Sequence, residues 1–173
     1  REIAKVVRDL GGEVEMGQTG HSFMKRQMKS SGALLGGEAS GHIFIKDRWF
    51  GFDDGSYVGA RLMEIIAKQS LPVSALVNSL PQSVITPEYK IPVKESAKFA
   101  LMARMIDEAD FPDAVRITVD GLRIEYPDGW GLIRVSNTSP NLVCRFEAEN
   151  EQRLSEIKLQ FRLQLLSLDN CLM

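Results

Sequence analysis

Hydrophobic spacing changes character partway along the chain. In residues 1–10, Ile3, Val6, Val7 and Leu10 fall on one helical face, with Gly11 placed to cap the end. Residues 13–16 read as a short strand, followed by the polar turn Gly17-Gln18-Thr19-Gly20-His21. Residues 22–29 suit a short helix with Phe23, Met24 and Met28 as its apolar positions, ending near Gly32. Residues 33–35 and 42–45 are strand candidates on either side of a polar, glycine-flanked loop. Phe52-Asp53-Asp54-Gly55 then opens a helix whose Val58, Leu62, Ile65 and Ile66 follow the helical repeat. Helices alternating with short strands predict an α/β layered domain over residues 1–80.

Pro72, Pro81, Pro87 and Pro92 interrupt the next stretch, which has little periodicity and places a domain boundary between residues 79 and 86. Residues 94–109 return to helical spacing, with Phe99, Met102, Met105 and Ile106 in one stripe. Residues 115–119 alternate with period two and meet Asp120-Gly121, a strong hairpin signal. Residues 122–126 run back, Pro127-Asp128-Gly129 turns, and residues 130–135 and 141–146 continue the pattern. Asn150 can cap a last helix with Leu154, Ile157, Phe161, Leu165 and Leu168 on one side. Residues 81–173 therefore predict an α+β domain, an antiparallel sheet with helices on one face.

Composition narrows the function classes. A net charge of −2 and the lack of a basic stripe argue against nucleic acid or an anionic membrane as partner. No uncharged apolar run approaches the roughly 18 residues of a membrane-spanning helix. Cys144 and Cys171 form no CxxC pair, and with no secretory signal a reduced, cytoplasmic compartment is the simplest expectation. A helix already under way at Arg1 points to a chain cut from a longer one, with a processed expression product as the alternative.

Two loops hold the candidate chemistry. Gly37-Glu38-Ala39-Ser40-Gly41-His42 offers a carboxylate, a hydroxyl and an imidazole between glycines. A carboxylate can accept from two adjacent sugar hydroxyls while a serine both donates and accepts, so Glu38 and Ser40 suit a sugar. His42 can meet a phosphate oxygen or simply cap the strand it begins. The loop is neither a Walker A sequence nor a Gly-x-Ser-x-Gly elbow, and a water-facing turn is the competing reading. The second loop, Arg134-Val135-Ser136-Asn137-Thr138-Ser139-Pro140, puts a guanidinium fork beside hydroxyl and amide donors, a phosphate-type set. A hydrophilic hairpin with a surface arginine competes here. His21, in a loop after a strand candidate, is a candidate general acid/base or a helix-capping histidine. Asp53 and Asp54 read as a helix cap rather than metal ligands.

Thr19-Gly20-His21-Ser22, Gly-Glu-x-Ser-Gly-His at residues 37–42, Trp49-Phe50-Gly51-Phe52-Asp53-Asp54-Gly55, and Asp120-Gly121 onward to Arg134-x-Ser-Asn-Thr-x-Pro140 occur in this order in the α-D-phosphohexomutases. The chain resembles their bacterial phosphomannomutase/phosphoglucomutase branch over essentially its whole length: most of the third domain and all of the fourth. The resemblance implies that Glu38, Ser40 and His42 bind the sugar, that His21 contacts substrate and is a candidate for proton transfer, and that Arg134, Ser136, Asn137 and Thr138 hold the phosphate that is not being transferred. It also implies hexose 1- and 6-phosphates as ligands, a bisphosphorylated hexose intermediate, and Mg²⁺ bound outside this chain. The missing N-terminal domains of the same polypeptide are the implied partner.

Neither the phosphoserine loop nor the aspartate-rich metal loop of that family is found here, so the chain alone is expected to lack turnover. A stand-alone, non-catalytic phosphosugar-binding module is the alternative.

Overall fold

A computed structural model describes residues 1–168, which leaves Cys171 outside the described residues. The chain divides into two compact units, residues 1–81 and the residues from Gln82 onward.

The first unit contains α1 (Glu2–Asp9), α2 (His21–Ser31), β1 (Leu35–Gly37), β2 (Ile43–Ile45), α3 (Gly55–Lys68) and α4 (Val73–Asn78). α2 stops where Gly32 takes a left-handed conformation (φ 77°) and donates its N–H to the Met28 carbonyl. β1 and β2 form an antiparallel hairpin with Leu35 opposite Ile45 and Gly37 opposite Ile43. The helix rests on this hairpin through Gly36, where a Cβ would come within 2.7 Å of the Met24 sulfur and 2.8 Å of the Met28 sulfur. Asp54 caps α3, its Oδ1 accepting from the Tyr57 N–H at 3.0 Å. Met28 and Phe44 are the buried hydrophobic side chains of this unit among the described residues. Much of its apolar periodicity is open: Ile3 of α1, Leu10 just after it, and Leu62 and Ile65 of α3 are all at least half exposed.

Several sequence expectations for this unit need correction. Residues 13–16 form no strand, because no described strand pairs with them; the Met16 carbonyl accepts from the Gln27 side chain of α2 at 3.4 Å instead. The first hairpin strand lies at 35–37 rather than 33–35, since the pairing of Gly37 with Ile43 sets the register. α4, which follows Pro72, had no periodic signal in six residues.

The second unit contains β3 (Val84–Ile85), β4 (Tyr89–Pro92), α5 (Lys98–Glu108), β5 (Val115–Ile117), β6 (Leu122–Tyr126), β7 (Gly129–Val135), β8 (Asn141–Ala148) and α6 (Glu151–Leu168). Its sheet is antiparallel, in the order β3-β8-β7-β6-β5, and β4 also pairs with β8. β3 and β4 thus share one flank of β8 end to end: β3 covers residues 147–148 and β4 covers residues 141–144. Asn150 caps α6, its Oδ1 accepting from the Arg153 N–H at 2.9 Å.

α5 and α6 close over one face of this sheet. Met105, Leu122, Ile124, Ile133, Leu142, Ile157 and Phe161 are essentially inaccessible to water, and burying a side chain the size of Phe161 contributes about 2–3 kcal/mol. Phe161 meets Phe146 edge-on at 5.2 Å and Phe111 at 4.7 Å. That approach depends on Gly131, where a Cβ would lie 2.4 Å from the Phe161 ring.

Here too the boundaries differ from expectation. α5 starts at Lys98, since residues 94–97 form a turn, and its buried face is Lys98, Leu101, Met102 and Met105 while Phe99 is 64% exposed. β5 ends at Ile117, where the turn into β6 begins, and β7 starts at Gly129, which pairs with Tyr126 across a two-residue turn. β3 and β4 gave no strand signal among prolines, and Pro92 is tolerated because β4 lies along an outer flank of the sheet.

Candidate functional site

The loop between β1 and β2 is a tight hairpin end held by its own backbone. The Glu38 N–H donates to the His42 carbonyl at 2.9 Å, and the Gly41 N–H donates to the Glu38 carbonyl at 3.0 Å. These bonds put the Glu38, Ser40 and His42 side chains around one turn. Glu38 is half-buried and does two jobs: Oε1 accepts the Gly20 N–H at 3.0 Å, and Oε2 accepts the Ser40 hydroxyl at 3.2 Å. The first bond ties the hairpin to the turn before α2, whose first residue is the exposed His21. Two candidates 17 positions apart, His21 and Glu38, are thereby brought to one corner of the unit.

His42 is exposed, and its Nδ1 lies 2.6 Å from Asp53 Oδ2. The carboxylate orients the ring and leaves Nε2 as the nitrogen available to a ligand. The two aspartates therefore divide their roles. Asp54 caps α3 and accepts the Trp49 indole N–H at 3.1 Å, whereas Asp53 belongs to His42 and not to the cap. Trp49 also stacks on Tyr57 at 4.5 Å with ring planes 5° apart, fixing the segment between β2 and α3. At the other side of α3, hydrogen bonds from Lys68 and then Arg48 hold the Glu64 carboxyl well down, from an ordinary 4.5 to about 2.

The second loop joins β7 to β8. Arg134 is half-buried near the end of β7, and its guanidinium has no hydrogen bond or ion pair with any described residue. Gly121 passes directly behind it. With φ at 82°, a Cβ on Gly121 would sit 2.3 Å from the Ile133 carbonyl oxygen and 2.6 Å from Arg134 Cβ. The Asp120-Gly121 turn thus sets where Arg134 can lie.

Beyond Arg134, the Ser136 N–H donates to the Asn141 carbonyl at 2.9 Å, and the Asn141 N–H donates to the Ser139 carbonyl at 2.8 Å. The Ser136 and Ser139 hydroxyls are 2.8 Å apart, Asn141 Nδ2 donates to the Ser139 hydroxyl at 2.8 Å, and the Thr138 N–H points to the Ser136 hydroxyl at 3.4 Å. Ser136 is buried, so its hydroxyl shapes the loop from within, while Asn137 and Thr138 are exposed at the tip.

Two residues of these sites escaped the sequence reading. Lys98 lies under the second loop, its ammonium donating to the Ser136 carbonyl at 3.1 Å and the Ser139 carbonyl at 3.4 Å. It could have been found from helical spacing, since 98, 101, 102 and 105 form one stripe in which a lysine occupies an apolar position. The pairing of Asp53 with His42 had no signal at all, because it depends on β2 meeting the segment before α3 through the Phe44–Asp53 bridge.

Among the described residues, no group of three or more His, Cys, Asp or Glu could hold a metal ion. The carboxylates nearest the first loop are engaged by His42, Gly20, Ser40 and the α3 cap, so these residues do not fit a Mg²⁺ site. Among the same residues, no helix is long and apolar enough to cross a membrane.

Both units are similar to known proteins. Residues 1–84 match the family model described as phosphoglucomutase/phosphomannomutase, alpha/beta/alpha domain III, and residues 88–164 match that of the C-terminal domain. A phosphomannomutase/phosphoglucomutase of Pseudomonas aeruginosa is 45% identical over 99% of this chain and 37% of its own length. A phosphoglucomutase of Neisseria meningitidis is 49% identical over 94% of this chain and 35% of its own. A crystal structure of a phosphoglucomutase/phosphomannomutase family protein from Burkholderia thailandensis superposes with a TM-score of 0.90 at 48% identity, covering 97% of this chain and 35% of that one. The chain therefore spans little more than a third of the length of the relatives it matches. With two family models side by side over nearly its whole length, the chain belongs to the phosphoglucomutase/phosphomannomutase family, of which it carries the third and the C-terminal domains.

Proposed function

We propose that this chain is the recognition portion of a phosphohexomutase that interconverts hexose 1- and 6-phosphates through a bisphosphorylated intermediate. In this reading Glu38, Ser40 and His42 read the sugar, and His21 is the candidate proton-transfer group. Arg134, Ser136, Asn137 and Thr138 hold the phosphate that stays in place. Chain 1–80 would serve as the sugar-binding part and 81–173 as the phosphate-binding part, working with the remaining domains of a longer cytoplasmic polypeptide.

The observation that carries it is the Arg134 guanidinium, engaged by no other described residue, at the start of a loop whose Ser136 and Ser139 groups are held from within. A guanidinium engaged by no described residue, and not among the buried polar atoms left without a partner, is free to meet an anion from solvent, and a phosphate matches its fork in two bonds. In the first unit, Glu38 Oε2 and Ser40 form a preset acceptor–hydroxyl pair for sugar hydroxyls.

Glucose 1-phosphate and mannose 1-phosphate titrated into ¹⁵N-labelled chain are expected to shift the amide signals of residues 134–138 and 38–42. Arg134→Ala is expected to weaken binding roughly ten- to hundredfold, the cost of a charged hydrogen-bond pair. Arg134→Ala binding as tightly as the unaltered chain would remove the clamp. Mutase turnover by the chain alone would overturn the division of labour.

A further inference from the structure

Lys98 opens α5, yet its side chain is only 4% exposed. An ammonium taken out of water is destabilising unless all its donors find acceptors. Lys98 has three acceptors for three donors: Glu95 Oε1 at 2.7 Å, the Ser136 carbonyl at 3.1 Å and the Ser139 carbonyl at 3.4 Å. Glu95 is a helical-turn neighbour that is 66% exposed, but the two carbonyls come from the loop, 38 and 41 positions away. The buried cation is thus spent on the shape of one surface loop.

The geometry of the peptide unit says what that shape is for. In a trans peptide the C=O of one residue and the N–H of the next point in opposite directions. With the Ser136 carbonyl turned toward Lys98, the Asn137 N–H faces away from α5, and no described residue accepts it. The second carbonyl, of Ser139, precedes Pro140, which has no N–H to misplace. The loop is secured on its other side as well, where the Val93 N–H donates to the Pro140 carbonyl at 3.0 Å.

We propose that Lys98 is a positioning residue for anion recognition: by holding the Ser136 and Ser139 carbonyls from beneath, it presents the Asn137 N–H, three residues after Arg134, to a phosphate group. This rests on the phosphate-clamp reading of the loop. Lys98 touches no ligand itself. Its charge, partly offset by Glu95, also adds positive potential behind the tip.

The test is a titration of ¹⁵N-labelled chain with inorganic phosphate, followed at Asn137. In the unaltered chain the Asn137 amide shifts with phosphate. In Lys98→Met the Kd is expected to rise about tenfold, the scale of losing a preset geometry, while the signals of Ile133 and Phe161 in the sheet and helix core stay in place. A folded Lys98→Met chain with a Kd within about twofold of the original would overturn the positioning role and leave the clamp standing. No response at residues 134–138 of the unaltered chain would overturn both. Should Lys98→Met not fold, Glu95→Gln decides, because Glu95 is largely exposed and its loss leaves the Lys98 charge uncompensated. Phosphate is then expected to bind about two- to threefold more tightly, and unchanged or weaker binding counts against the inference.

Discussion

Replacing Gly121 with alanine separates two costs that usually arrive together. Gly121 (φ 82°) and Gly32 (φ 77°) both hold left-handed backbone, but a Cβ on Gly32 meets nothing within 4 Å, whereas one on Gly121 meets the Ile133 carbonyl oxygen at 2.3 Å and Arg134 Cα at 2.7 Å. Gly32→Ala therefore incurs the left-handed penalty alone, about 1–2 kcal/mol. Gly121→Ala incurs that penalty plus a collision with backbone that cannot rotate away, so β6 and β7 must separate where Leu122 faces Ile133. Strain of this kind brings the total to about 3–4 kcal/mol. Native-state hydrogen exchange reads each effect in its own unit, as the lost opening free energy of the slowest amides of α2 or of β7. Gly121→Ala is also expected to weaken phosphate binding, because the atoms it displaces carry Arg134. Equal losses for the two variants would refute the collision. An intact Gly32→Ala helix end would refute the conformational penalty.

Three further outcomes are expected. Thr86→Val removes the hydroxyl that accepts the Phe146 N–H at 3.1 Å in a buried setting, costing about 1–3 kcal/mol, which chemical denaturation followed by β8 amide exchange would measure. Glu64, whose carboxyl is lowered to about 2 by Lys68 and Arg48, binds fewer protons folded than unfolded. Its contribution is fully present above about 4.5 and is lost as pH falls toward 2; a carboxyl carbon titration midpoint near 4.5 would contradict this, and added salt should shrink the effect. Burial pushes the Cys144 thiol up to about 12, so site-resolved mass spectrometry should find it unalkylated by iodoacetamide at pH 8 until the unit unfolds.

What could be read from the sequence follows the range of the forces involved. The β6–β7 and β7–β8 hairpins and α6 were legible, since alternation, turn residues and the Asn150 cap are local. β3 and β4 were not, because two and four residues become strands only by lying along β8, roughly 50 to 60 positions away. In the sites, Glu38 and Arg134 stood out by residue type. Their surroundings did not: the Glu38 bond to Gly20, the Asp53 bond to His42 and the Lys98 bonds to the loop all cross between elements. A chain read residue by residue shows which groups could meet a ligand, and long-range contacts decide how they are held.

The uneven distribution of buried side chains has a calorimetric consequence. The contiguous core cluster, from Leu101 to Leu165, lies wholly in the second unit, while Met28 and Phe44 stand nearly alone in the first. The heat-capacity increment of unfolding scales with apolar surface newly exposed to water, so the larger share of it belongs to the second unit. A scan of this chain should show one sharp endotherm carrying that share, preceded or underlain by a broad, low-enthalpy event from the first unit. A single melting temperature would describe the second unit and say little about the first.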